Sequence, residues 1–376
     1  MRPRRRALGS RRAPIALLLG LCAGCAAEFD PGSEVTGLRV LAVKKSAPYA
    51  RPGEPVDLTL LWHDAEPGRP PPQIAWLAVC ENPPGDLFEA CFAQAPALSA
   101  DELMTRVSLP DPDATTANDR FGFTTSSDLI SSRPAPPPES NTTPYGLTYV
   151  FFAACAGQLD VLAGAEVPFV CYEEADGVDG FSEGDTRRDS RDFVLGYSAV
   201  FAYEAFRNQN PTIAGFRFGD ALLWPDSPPD VAAAAPAGAV LAPARDLCFG
   251  EACGPISPET DSEPCLDALT LEACVDGACD TTPVQLLIDP ASAEVDEAAS
   301  ARGAETLGEQ MWVNYYGTAG ELGEEVRLLN DAVTGFNPDT STDYEPADTA
   351  RVSHLWAVAH DNRGGAEWAR VRVCTR

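Results

Sequence analysis

Ser182 stands in Gly180-Phe181-Ser182-Glu183-Gly184, the G-x-S-x-G spacing of a hydrolase nucleophile elbow, and His354 and His360 follow in the chain order a triad would use. An elbow needs a buried strand running into the serine and a helix leaving it. Here the flanks, 173–179 and 185–188, are polar on both sides. The stretch therefore reads as an acidic surface loop, and a serine hydrolase is the alternative function. The same loop carries Asp176, Asp179, Glu183 and Asp185, hard oxygen donors of the kind calcium takes. A second acidic loop carries Asp339, Asp343, Glu345 and Asp348. The first does not follow the spacing of an EF-hand loop. Both read first as solvated charge; no cofactor is expected, and calcium is the ion they could hold. His63-Asp64, at a strand end with no second catalytic group nearby in sequence, reads as structural. No phosphate-cradling glycine loop or dinucleotide fingerprint occurs.

Cysteine supplies the other chemistry. Setting aside Cys22 and Cys25, ten of the 12 cysteines remain: Cys80, Cys91, Cys155 and Cys171 in the first half, and Cys248, Cys253, Cys265, Cys274, Cys279 and Cys374 in the second. Even numbers in each half suit a disulfide framework in an exported chain. The intervals 80–91 and 155–171 are short enough for local loops, and pairing is expected within each half, with the connectivity open. Zinc is disfavoured, because no C-x-x-C occurs and the three histidines lie far from the cysteine cluster in sequence.

The address is written at the N-terminus. Six arginines and no acid precede a short apolar stretch, Ala13 to Gly24, that ends in small residues. These are the parts of a secretory signal. Twelve helical residues span only about 18 Å, too little for the roughly 30 Å hydrocarbon layer. Cys22-Ala23-Gly24-Cys25 resembles the bacterial lipobox, departing from it at the first position, where Cys22 replaces the usual leucine. The resemblance implies cleavage after residue 24 and a diacylglycerol plus an amide-linked acyl chain on Cys25, which would fix the protein to a membrane. Ala26 in place of an aspartate after that cysteine implies, by the enteric sorting rule, the outer membrane. The alternative is an ordinary signal peptide cut near Ala26-Ala27.

Loss of residues 1–24 would leave 21 basic against 56 acidic residues, a net charge of −35 in place of −29. Such a balance argues against nucleic acid, whose binding rests on phosphate neutralisation by Lys and Arg. It argues equally against electrostatic adsorption to anionic lipid.

The elements that would position all this are short and β-forming. Val56, Leu58, Leu60 and Trp62 alternate on one face after the turn Arg51-Pro52-Gly53-Glu54. Val35 to Val43, Ile74 to Cys80, Leu147 to Cys155 and Phe193 to Tyr203 read as further strands, and Ser99-x-x-Glu102 as the capping box of a short helix. A second copy begins at Ile213-Ala214-Gly215-Phe216-Arg217-Phe218, which repeats the character of Val35-Thr36-Gly37-Leu38-Arg39-Val40. Strands at Val284 to Ile288, Met311 to Tyr316, His354 to His360 and Trp368 to Cys374 follow, with Asp361-Asn362-Arg363-Gly364-Gly365 as a hairpin turn. The expected organisation is a signal peptide at 1–24, a tether at 25–34, and β-sandwich domains at 35–205 and 206–376. The second would carry an Ala/Pro segment at 226–244 and a cysteine-rich insert at 248–279, read as loop and short helix.

Pro52-Gly53-Glu54-x-Val56, Trp76, Tyr149 and Leu355-Trp356-Ala357-Val358 with Asp361-Asn362 resemble immunoglobulin-like modules of the polycystic-kidney-repeat and cadherin-like kind, which recur in bacterial surface lipoproteins. The resemblance implies a mainly β chain of two antiparallel immunoglobulin-like sandwiches. The cysteines depart from the antibody-type inter-sheet pair, since 56–62 contains none. The expected function is that of a non-enzymatic binding or scaffold lipoprotein at the cell envelope, with a protein or glycan ligand. A structural subunit of an envelope assembly is a further alternative.

Overall fold

The computed structural model describes residues 32–376, apart from 94–97, 111–115, 138–139, 141, 174–179, 183, 225–239, 257–260, 275–278 and 304–305. Eleven of the strands frame the two sandwiches: β1 (Leu38–Lys45), β2 (Pro55–Asp64), β3 (Gln73–Glu81), β4 (Arg120–Thr124), β5 (Gly146–Cys155), β6 (Phe193–Ala202), β7 (Ile213–Phe218), β8 (Thr282–Ile288), β9 (Met311–Gly317), β10 (Arg351–Asp361) and β11 (Ala366–Thr375). The protein is mainly β, in β-sandwich-like, disulfide-bonded domains.

In the first sandwich, β1, β2 and β4 form one sheet, and β6, β5 and β3 form the centre of the other, edged by Tyr49–Ala50 and Val107–Ser108. Between them lies a core of Leu38, Leu58, Leu60, Ile74, Trp76, Val150, Phe152 and Ala154. The alternation along β2 is what allows this, since period-two side chains share one face of a pleated strand. Trp76 is fully buried, and its indole N–H donates to the Asn118 carbonyl at 2.9 Å, so its polar end is satisfied. β5 departs from simple alternation: all ten residues are buried, because its outer face is covered as well.

The second sandwich sets a six-stranded sheet containing β7 and β8 against a larger sheet containing β9, β10 and β11. Phe216, Leu286, Val313, Tyr315, Leu355, Ala357 and Val371 are among its core residues. The hairpin turn expected at 361–365 is present, with His360 paired to Ala366. The repeated hexapeptides have a shared physical basis in their glycines. A Cβ at Gly37 would lie 2.7 Å from the Arg191 carbonyl oxygen, and one at Gly215 would lie 3.0 Å from that of Leu223.

The cysteine-rich insert differs from expectation. Leu247–Phe249 pairs antiparallel with β11, Thr270–Leu271 pairs parallel with it, and Leu247 and Leu269 are buried in the main core. The insert is thus part of the sheet, stitched in by backbone hydrogen bonds, rather than a loop that buries little. Of the Ala/Pro segment, only 240–244 lies within the described residues; there Val240–Leu241 pairs parallel with Ala221–Trp224.

The sandwiches meet across a seam. Val35, Leu41, Ala42 and Leu61 pack on Trp356, Val358 and Trp368 of β10 and β11. Val35, Leu41 and Leu61, removed from water, each contribute about 1.5–3 kcal/mol. Along β10 the sequence Leu355-Trp356-Ala357-Val358 therefore faces two ways, its odd-numbered members entering the domain core and its even-numbered ones the seam. The first described residues belong to the same seam, for Val35 N–H donates to the Gly317 carbonyl and Gly317 N–H to that of Ser33, both at 2.9 Å.

Buried charge flanks the seam. The Lys45 ammonium donates to the Ala199 carbonyl at 2.8 Å, and its burial pulls it down to about 8 despite the nearby Asp361 carboxylate. Arg363 is buried against Glu309, whose carboxylate it meets directly, and against Glu294 at 2.7 Å. Burial outweighs that pairing for Glu309 and pushes its carboxyl up to about 7. Asn210 completes the connection, donating to the Lys45 carbonyl at 2.7 Å and accepting from Ala366 N–H at 3.0 Å.

Candidate ligand-binding site

The outer face of the β3–β5–β6 sheet is roofed by two short excursions with a cavity of about 210 Å³ between them. The first excursion leaves β3 and is returned to it by the Cys80–Cys91 disulfide. Its path requires left-handed backbone at Asn82 (φ 47°) and Asp86 (φ 57°), a region that Asn and Asp tolerate better than other non-glycine residues. Both side chains then serve as anchors. Asn82 donates to the Leu129 carbonyl at 2.6 Å and accepts from Leu147 N–H at 3.0 Å. Asp86 receives Arg133 in a two-pronged pair at 2.8 and 3.0 Å and the Tyr145 hydroxyl as a third donor. Although burial opposes it, these donors hold the Asp86 carboxyl below the usual aspartate range.

The second excursion is the helix Ala100–Met104. Its capping box is complete, with Glu102 N–H donating to Ser99 Oγ and Ser99 N–H donating to Glu102 Oε2. That cap satisfies donors a five-residue helix would otherwise leave open, and it sets Leu103, 1% exposed, into the roof. Leu77, Phe92, Leu98, Leu103 and Phe151 give the cavity its apolar lining, and Arg106 stands at its rim. Glu81 also lines it, but its carboxylate accepts from Ser126 N–H at 3.0 Å and from Ser126 Oγ at 2.6 Å. Arg106 is exposed and carries no ion pair or side-chain hydrogen bond among the described residues. Beside the cavity, Phe88 stacks on Tyr197 at 4.4 Å, and Tyr197 stays 44% exposed.

The residues singled out in sequence lie elsewhere, the cysteine pair 80–91 apart. All ten candidate cysteines are joined, as Cys80–Cys91, Cys155–Cys171, Cys248–Cys253, Cys265–Cys374 and Cys274–Cys279. Cys25, Asp176, Asp179 and Glu183 fall outside the described residues. Ser182 is exposed; its backbone N–H donates to Asp185 at 2.6 Å, and its hydroxyl has no histidine partner among the described residues. His354 is engaged with Asp261 at 3.0 Å, and His360 stacks on Trp312 at 5.4 Å. His63 lies in the seam against Trp356, and Asp64 is 3.6 Å from Arg69. Burial takes His63 down to about 3 and His360 to about 4, so both rings are neutral at physiological pH. Asp339 is turned onto Ser341, while Asp343 and Glu345 belong to the strand Thr342–Glu345. Among the described residues the one grouping of metal-ligating atoms is Cys274, Cys279 and Glu345, and its two sulfurs are bonded to each other.

Sequence reasoning missed the cavity and the buried charges. The available signals were the Pro83-Pro84 turn inside a cysteine-closed loop, the capping box eight residues beyond Cys91, and the chain's two lysines standing side by side at 44 and 45.

Five disulfides in β-sandwich-like domains define the class: this is a mainly β, extracytoplasmic protein. No helix among the described residues is long and apolar enough to cross a membrane. No protein-family model matches the chain, and no curated protein matches it. Among solved structures it is similar to the FN1–FN3 domains of chicken CNTN1, with a TM-score of 0.18 and 9% identity over 92% of this chain and 68% of that one. It is likewise similar to Escherichia coli alpha-2-macroglobulin activated by porcine elastase, with a TM-score of 0.18 and 8% identity over 93% of this chain and 22% of that one. Likeness at this level carries no argument about function.

Proposed function

We propose that the protein is a lipid-tethered, non-enzymatic recognition protein of the cell envelope, presenting the roofed face of its first sandwich to a ligand. One observation carries this reading: a disulfide-closed loop and a capped helix hold a cavity of mixed apolar and polar lining over a rigid sheet, with an arginine at its rim that has no ion pair among the described residues. Ligand sites are concave and combine apolar contact with a few placed polar groups, and loops on a rigid scaffold carry them. The lipobox resemblance at Cys22-Ala23-Gly24-Cys25 supports the tether, and Ala26 supports the outer membrane. The exposed, histidine-free setting of Ser182 supports a non-catalytic role.

The test is ligand capture from envelope extracts by the immobilised soluble protein, beside a variant with the cavity filled by Ala90→Phe. A ligand retained by the first and lost by the second is the expected result. Equal capture by both would remove the cavity from the function. A fluorophosphonate adduct that disappears in Ser182→Ala would replace the reading with a hydrolase.

A further inference from the structure

Resting on the reading of the cavity as a recognition site, we propose that its ligand is a small apolar monocarboxylate: one ring, or about six carbons, bearing a single carboxylate that pairs with Arg106. Size sets the first limit. A dry cavity of about 150 Å³ accommodates benzene, so a volume of about 210 Å³ suits one ring and a short stem. The walls set the second, since Leu77, Phe92, Leu98, Leu103 and Phe151 give an apolar patch for contact, beside polar surface that includes Glu81, Asn82 and Arg106.

The head group follows from which polar groups are already occupied. Asn82 is committed to Leu129, Ser132 and Leu147. Glu81 is committed to Ser126. Glu102, the acid one helical turn before Arg106, is held by Ser99 N–H at 2.9 Å and Ser99 Oγ at 2.7 Å. Arg106 remains, with a planar fork of donors that matches a carboxylate in two-pronged geometry. The chain's overall negative charge would favour a cation, so the preference for an anion is a specific consequence of Arg106 and a sharp point of test.

The experiment titrates the folded, disulfide-intact soluble protein with phenylacetate, 2-phenylethanol and 2-phenylethylamine, following binding by calorimetry and by NMR shifts. Phenylacetate should bind about tenfold more tightly than the alcohol, as loss of a charge-assisted hydrogen bond at a partly solvated rim implies, and the amine should bind most weakly. Arg106→Gln should erase the difference between acid and alcohol. Ala90→Phe and, independently, Leu98→Trp should abolish binding of both. Equal binding of acid, alcohol and amine, still lost on filling the cavity, would overturn the carboxylate and leave the cavity as a site. Tighter binding of the amine would also overturn it. No binding of any of the three, or binding indifferent to both fillers, would overturn the proposal and the reading of the cavity together.

Discussion

Arg363→Met should destabilise the protein by about 3–5 kcal/mol at pH 8, the usual cost of removing one partner from a buried ion pair. The Arg363 side chain is 2% exposed and that of Glu309 1%, so neither has water to fall back on. The guanidinium also donates to the carbonyls of Arg207 at 3.1 Å and Val295 at 3.3 Å, which the variant leaves without it. Methionine fills much of the volume and spans no charge, so the loss is electrostatic rather than a cavity. The penalty must depend on pH. With Arg363 present, Glu309 titrates at about 7. Without it the lowering influence is gone and the carboxyl stays protonated to higher pH. Below pH 7 Glu309 is neutral in both proteins and the difference shrinks. Above pH 7 it grows by up to about 1.4 kcal/mol per unit. Urea unfolding followed by tryptophan fluorescence at pH 5, 7 and 8 measures this directly. Pairing Arg363→Met with Glu309→Gln should restore at least half of the loss, because the orphaned charge is then absent. A penalty below about 1 kcal/mol that is the same at all three pH values would mean that the Arg363–Glu309 pair is not a buried ion pair that stabilises the fold.

Three further outcomes follow from the same structure. The depressed folded values of His63 (about 3) and His360 (about 4) mean that stability is fully present above the unfolded value near 6.5 and is lost as pH falls from there towards 4. His360→Phe should preserve the stack on Trp312 and flatten that acid limb by up to about 1.4 kcal/mol per pH unit, and unfolding at pH 4.5, 5.5 and 6.5 shows whether it does. Cys80→Ser with Cys91→Ser should cost about 3 kcal/mol by the loop-entropy argument for an 11-residue separation and should weaken ligand capture further, which unfolding and binding titrations on the same preparation separate. Cys25→Ala should move the protein from the membrane fraction to the soluble periplasm or medium; retention through a detergent wash would end the lipoprotein reading.

What the sequence disclosed was whatever depends on neighbours in the chain. The alternation from Val56 to Trp62, the 361–365 turn and the Ser99 capping box each encode a local rule, and each is present in the fold. β5 was recognisable as a strand from its run of β-formers, but its burial on both faces comes from the 80–92 excursion and the hairpin carrying Leu159, Val161 and Phe169, which sequence alone does not bring over it. The insert was misread because its cysteines suggested a self-contained loop, whereas Cys265 reaches Cys374 across 109 residues and its short strands pair with the last strand of the chain. Lys45 and Arg363 fared likewise: Lys45 finds its carbonyl 154 residues away, and Arg363 finds Glu309 54 residues away, distances over which no spacing rule operates. Of the candidate site, Cys80, Cys91 and the capped helix after Ser99 were visible but their convergence was not, because a cavity is a property of packing and leaves no period in the sequence.

Recognition at the roofed face of the first sandwich can be read from a photo-activatable residue placed at Tyr197, beside the cavity, and in a matched protein at Val333, an exposed position in the second sandwich. Illumination of living cells should give a discrete adduct from position 197 that vanishes when Ala90→Phe is added, and none at that mass from position 333. The same adducts from both positions, or an adduct at 197 indifferent to the filled cavity, would contradict recognition at that face.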